Sequence, residues 1–193
     1  KTLDDVFEQV EFFVDAVSDY KSDFVLFPEY FNAPLMAKFN HLGEAQSIRG
    51  LAQYTEEVRD RFINLAISYN INIITGSMPY VKEDGGLYNV GFLVRRDGTY
   101  EMYEKVHVTP DEIKSWGLSG GKMVQTFDTD CAKIGILICY DVEFPELSRI
   151  MADQGMQILF VPFLTDTQNG YSRVRVCAQA RAIENECFVA IAG

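Results

Sequence analysis

Residues 134–146 read IGILICYDVEFPE, and this stretch decides the fold. Ile134 to Ile138 form an apolar run of the kind a buried strand requires. Pro145 then suits the first turn of a helix, where its missing N–H has no partner to lose. Cys139 therefore falls on a sharp strand-to-helix turn. Such a turn exposes its side chain and points backbone N–H groups at the same place.

The alternation continues in both directions. Downstream, a helix is predicted over 145–154, a strand over 157–163, a helix over 172–185 and a final strand over 186–192. Upstream, strands are predicted over 132–139 and 123–128, with a loop at 117–121 (GLSGG). Residues 88–95 and 99–106 read as a hairpin around Arg96, Asp97 and Gly98, where Gly98 can take a positive φ. Residues 71–78 (INIITGSM) read as a strand. Leu51, Tyr54, Val58, Phe62, Leu65 and Tyr69 share one face of a helix over 47–69. Residues 23–27 (DFVLF) form a short apolar strand closed by Pro28 and followed by Glu29. Leu3, Val6, Phe7, Val10, Phe13, Val14 and Val17 recur at helical spacing over 2–19. Strand–helix alternation of this sort predicts an α/β domain whose helices cover buried sheets. With no repeat, low-complexity tract or linker, residues 1–193 read as a single domain. The first helix has no strand before it and the last strand stops at Gly193, so both ends are expected to be truncated.

Composition narrows the function. The 193 residues carry a formal charge of −11, which repels nucleic acid and anionic membrane surfaces at long range. No run approaches the roughly 18 apolar residues of a membrane span. The four cysteines, Cys131, Cys139, Cys177 and Cys187, include no C-x-x-C pair, and only His41 and His107 could join them. A zinc site and a disulfide framework are both poorly supported, and a reducing, cytoplasmic setting is expected.

Three positions could carry chemistry. Cys139 could act as a nucleophile, although burial in a core is the commoner fate of a cysteine. Glu29 stands at a strand's C-terminal edge, where partial desolvation would raise its pKa and make it a base; the plainer reading is a solvated loop glutamate. Lys105 closes the second hairpin arm, where a cation could stabilise an oxyanion and lower a nearby thiol's pKa; the plainer reading is a hairpin lysine in water. His107 is expected to be structural, His41 carries no signal, and the other cysteines are expected in core or surface.

Taken together, LFPEY around Glu29, YEKVHVTP around Lys105 and ILICYDVEFPE around Cys139 resemble the nitrilase superfamily of carbon–nitrogen hydrolases. The resemblance continues through VPFLTDT (161–167), GYSRVR (170–175) and ARAIEN (180–185), and so covers nearly the whole chain. It implies an αββα sandwich of two sheets flanked by helices, a Glu29–Lys105–Cys139 triad at strand ends, and a longer domain than these residues. It also implies that Glu112, in TPDE, bonds to the lysine near the substrate. Arg173 and Arg175 would pair with carboxylates such as Glu143 or Glu146.

The chemistry expected of that triad needs no cofactor and no metal. Glu29 takes the thiol proton, and Cys139 attacks a carbonyl or nitrile carbon. Lys105 and the Tyr140 backbone N–H hold the oxyanion, and water cleaves the resulting thioester. Tyr140-Asp141 after the nucleophile resembles the amidase and carbamoylase branch. A small linear amide is therefore the first expectation and an N-carbamoyl compound or nitrile the alternative. A non-catalytic protein of the same fold that binds a small molecule or a partner is the competing reading. The resemblance further implies a homodimer or larger homo-oligomer.

Overall fold

The computed structural model describes residues 1–193. Five α-helices are present: α1 (Leu3–Asp19), α2 (Glu44–Leu51), α3 (Thr55–Ser68), α4 (Pro145–Asp153) and α5 (Gln168–Asn185). The first sheet contains β1 (Phe24–Leu26), β2 (Asn72–Ile74), β3 (Met78–Val81), β4 (Leu87–Val94), β5 (Tyr100–Glu104) and β6 (Leu118–Ser119). β4 is its spine, with β2 and β3 along one edge and β5 and β6 along the other. The second sheet runs β7 (Thr126–Asp128), β8 (Lys133–Ile136), β9 (Ile158–Pro162), β10 (Phe188–Ala192), parallel except between β7 and β8.

Period-two side-chain alternation assigns the two faces of the first sheet to different cores. Val25, Ile73, Phe92 and Val94 pack with Val6, Val10, Val58, Phe62 and Leu65 of α1 and α3. Their neighbours Ile74 and Leu93 join a second cluster with Tyr103, Phe127, Ile134, Ile136 and Leu159 of the opposing sheet. Leu147 and Met151 of α4 and Val174 and Ala178 of α5 close that cluster. The result is the expected αββα sandwich. α1 starts where a capping box forms, Thr2 accepting from the Asp5 N–H at 3.2 Å and Asp5 from the Thr2 N–H at 2.6 Å.

Several predicted boundaries shift, each for a local reason. The helix expected over 47–69 is two helices joined by a 3₁₀ turn at Ala52–Tyr54. The buried Thr55 hydroxyl donates to the Pro79 carbonyl at 2.6 Å and ties the break to β3. The strand expected over 71–78 is interrupted at Thr75, Gly76 and Ser77, where Gly76 takes φ +68°. Between 123 and 128 only Thr126–Asp128 is strand, and the expected loop at 117–121 contributes β6. α5 begins four residues early because Thr167 caps it, accepting from the Gly170 N–H at 3.1 Å. The 3₁₀ helix at Ala33–Phe39 has no counterpart in the sequence reading.

Candidate active site

All three strand-end residues converge. Glu29 follows β1 and is held by a single bridge to Ser77, the Tyr30 N–H donating to the Ser77 carbonyl at 2.8 Å. Lys105 lies one residue beyond β5, its N–H still bonded to the Asn89 carbonyl of β4. β8 ends at Ile136, and Cys139 opens a 3₁₀ turn (Cys139–Glu143) with φ +48°, the tight turn that its sequence context predicted. Glu29 is 3% exposed, Lys105 2% and Cys139 7%, so the solvated-glutamate and hairpin-lysine readings both fail.

The Lys105 ammonium spends its donors on two carboxylates. It lies 2.8 Å from Glu29 Oε1 and 2.9 and 2.8 Å from Glu112 Oε1 and Oε2. Glu29 Oε1 also accepts from the Asn89 amide at 2.9 Å, and Oε2 from the Leu164 N–H at 3.0 Å. Glu112 accepts in addition from the Tyr30 hydroxyl at 3.0 Å and from the N–H and hydroxyl of Thr109 at 2.8 and 2.9 Å. The Cys139 thiol faces the Leu164 carbonyl at 3.7 Å. Leu164 thus touches both Glu29 and Cys139 through its backbone, a contact the sequence reading missed because no side-chain type encodes it.

Burial and charge separate the two carboxylates. Burial pushes the Glu29 pKa up, and the Glu112 charge adds to this against the pull of Lys105. Burial also acts upwards on Glu112, but Lys105 and the Thr109 donors outweigh it and hold that carboxyl below its usual value. The two carboxylates are thus biased apart, Glu29 towards holding a proton and Glu112 towards its charged form. Burial opposes the charge on Lys105, but its two carboxylates keep its pKa above the ordinary value. For Cys139, burial and the Glu29 charge raise the thiol despite Lys105. The expected lowering of the thiol's pKa is therefore corrected: Lys105 pulls in that direction and loses.

Asp141 and Arg181 brace the turn, and neither was singled out from the sequence. Asp141 is fully buried and accepts from the N–H groups of Val106, His107 and Ile138 at 3.2, 2.6 and 3.4 Å. Arg181 of α5 donates to the carbonyls of Val142 and Glu143 at 3.0 and 3.5 Å. His107 is structural, as expected: Nδ1 lies 3.1 Å from Asp141 and its ring stacks on Phe144 at 3.7 Å. Arg173 pairs with Glu143 at 3.4 Å, whereas Arg175 is exposed and enters no ion pair. The remaining cysteines are free, with Cys131 exposed and Cys177 and Cys187 half-buried. A cavity of about 260 Å³ opens beside the triad, lined by Glu29, Tyr30, Glu112, Trp116 and Leu164, with Glu44 and Asp111 at its exposed rim.

Comparison with known proteins places the family and the fold. The family profile described as carbon-nitrogen hydrolase matches residues 1–193. "Probable hydrolase YhcX" of Bacillus subtilis (strain 168) is 50% identical over 185 residues, covering 96% of this chain and 36% of that protein. Omega-amidase NIT2 of Homo sapiens is 31% identical over 193 residues, covering 93% of this chain and 65% of that protein. The crystal structure of Saccharomyces cerevisiae Nit3, described as a member of branch 10 of the nitrilase superfamily, superposes with a TM-score of 0.81 at 25% identity. That match covers 95% of this chain and 67% of Nit3. The chain spans between 36% and 65% of the length of these two curated relatives.

Proposed function

The chain belongs to the carbon-nitrogen hydrolase family, and from that premise we propose that it hydrolyses a non-peptide carbon–nitrogen bond of a small linear amide. Cys139 is the nucleophile, Glu29 the base and Lys105 the oxyanion-stabilising cation. One observation carries this reading. The buried Glu29 carboxylate is held by Lys105 at 2.8 Å and by the Leu164 N–H at 3.0 Å, and the Leu164 carbonyl faces the Cys139 thiol at 3.7 Å.

The steps follow from that arrangement. Glu29 removes the thiol proton as sulfur adds to the amide carbon, and the oxygen's developing charge falls on Lys105 and the Tyr140 N–H. Glu29 passes the proton to the departing nitrogen, the C–N bond breaks, and a thioester remains on Cys139. Water gives its proton to Glu29 and its oxygen to the acyl carbon; the thiol is restored and the acid leaves. The net reaction is amide plus water to acid plus amine. A positioned base of this kind contributes roughly 10²–10⁴-fold. The relative named omega-amidase supports an amide over a ureide or nitrile.

Two accompanying proposals concern its setting. Exposed Val176, Ile183 and Phe188 on α5 and β10 support self-association, which light scattering at micromolar concentration checks. The four free cysteines support a reducing, cytoplasmic compartment. No helix is long and apolar enough to cross a membrane.

The direct test is a rapid acid quench of the whole protein with an amide substrate, followed by peptide mass measurement. An acyl adduct on Cys139, with acid and amine released in equal amounts, is the expected result. Turnover retained by Cys139→Ala would sink the assignment.

A further inference from the structure

The cavity beside the triad carries a charge pattern that the hydrolysis itself does not require. At its inner end stand Glu29 and Glu112, both paired with Lys105 behind the wall, so the cluster holds one cation against two carboxylates. Its rim adds Glu44 and Asp111, both exposed, and no Lys, Arg or His lines it. Neither rim carboxylate enters an ion pair within the chain. Their charge is therefore unspent.

Aromatic surface occupies the space between. Trp116 lines the cavity with Tyr30, the two rings meeting edge to face at 5.6 Å and 90°. Tyr30 turns its hydroxyl to Glu112, which leaves its ring to form wall. An aromatic wall below two free carboxylates suits an alkyl chain ending in an ammonium or guanidinium, attracted by ring faces and carboxylates alike. A distal carboxylate would find no cationic partner there.

We infer that the substrate is an amide bearing a cationic group at the end away from the scissile bond, and that Glu44 and Asp111 select it. This rests on the hydrolase reading above. The cationic end sits at the mouth of the cavity, and the carboxamide reaches past Leu164, whose carbonyl faces the Cys139 thiol at 3.7 Å. A volume of about 260 Å³ admits a short chain of this sort.

Three amides of equal chain length test it on the whole protein, ending in an ammonium, a methyl or a carboxylate. With two exposed carboxylates acting together, kcat/KM for the ammonium amide should exceed that for the carboxylate amide by roughly tenfold at low salt. The ratio should shrink in about 0.5 M salt, where the Debye length is short and exposed charges are screened. Glu44→Gln combined with Asp111→Asn should cut the ratio by about as much, through KM. Equal or faster cleavage of the carboxylate amide overturns the inference and leaves the hydrolase reading standing. So does a ratio unmoved by the double variant when its melting curve matches that of the parent. Cleavage of none of the three overturns both.

Discussion

Asp141 Oδ1 accepts the His107 backbone N–H at 2.6 Å, so the turn carrying Cys139 and the strand end carrying Lys105 share one carboxylate. Its other oxygen takes Val106 N–H and Ile138 N–H, one donor from each side. The spacing between Lys105 and Cys139 is thereby set by a side chain that touches neither.

Replacing that side chain should separate positioning from chemistry. In Asp141→Asn one acceptor oxygen becomes a donor, leaving a buried N–H group unpaired. A stability loss of about 1–3 kcal/mol is expected. Because the displaced groups act on the transition state, kcat should fall more than KM rises. His107→Ala keeps the backbone bond and should cost less on both counts. Melting temperatures and steady-state kinetics of the two variants check this; a larger kinetic loss in His107→Ala would refute it.

The nucleophile gives the plainest outcome. Cys139→Ala should remove turnover while leaving the melting temperature close to that of the parent, since a small side chain is trimmed at a turn. Cys139→Ser should also be nearly inactive, because Glu29 must then deprotonate an alcohol rather than a thiol. Product release measured over hours, beside a melting curve, decides both.

How far the sequence carried the reading depends on the range of the interactions. Glu29 and Cys139 stood out because each follows a short apolar run, and Lys105 because it closes a hairpin arm, but each alone favoured a plainer role; it was the resemblance of LFPEY, YEKVHVTP and ILICYDVEFPE together to the nitrilase superfamily that joined them. Asp141 acts across 34 residues, Leu164 across 135 and Arg181 across 39, and no local pattern encodes such distances. The same holds for the helix break at Ala52–Tyr54, fixed by Thr55 reaching Pro79. The thiol's raised pKa also follows from burial that no count of nearby charges in the sequence reveals.

Gly76 tests the frame that carries Glu29. It has φ +68°, and a Cβ there would lie 2.0 Å from the Pro28 carbonyl oxygen and 2.7 Å from that of Phe27. Gly76→Ala must therefore push apart the segment that presents Glu29. A loss on the order of 3 kcal/mol is expected, with reduced turnover in what remains folded. Gly43→Ala, where nothing lies within 4 Å, should change stability by about 0.5 kcal/mol or less. Comparable losses in the two variants by denaturant unfolding would argue against this account.

Glu112 links stability to acid. Its folded pKa lies below the ordinary value of 4.5, so the ionised form is favoured by folding. That contribution is fully present above the unfolded value and is lost as pH falls through the lower folded value. Glu112→Gln removes one partner of a buried pair and should cost about 3 kcal/mol at neutral pH. The gap between parent and variant should then close as the solution is acidified below 4.5. A gap independent of pH would mean that the charge of Glu112 contributes nothing.

Lys105 and Glu112 also bias the base in opposite directions, which gives a test of sign. Glu29 must be ionised to accept the thiol proton, so the acid limb of kcat/KM follows its pKa. Among the charges acting on it, Lys105 lowers that pKa and Glu112 raises it. Lys105→Met should cost kcat at least the roughly 10²–10³ of one lost oxyanion donor. It should also move the acid limb of the residual activity to higher pH, because the uncompensated carboxylates hold their protons more tightly. Glu112→Gln should move the limb to lower pH. A scaffold role for Lys105 would instead lower the melting temperature and leave the limb in place. Limbs that move the same way in both variants, or not at all, would show that Glu29 is not the group whose titration controls turnover.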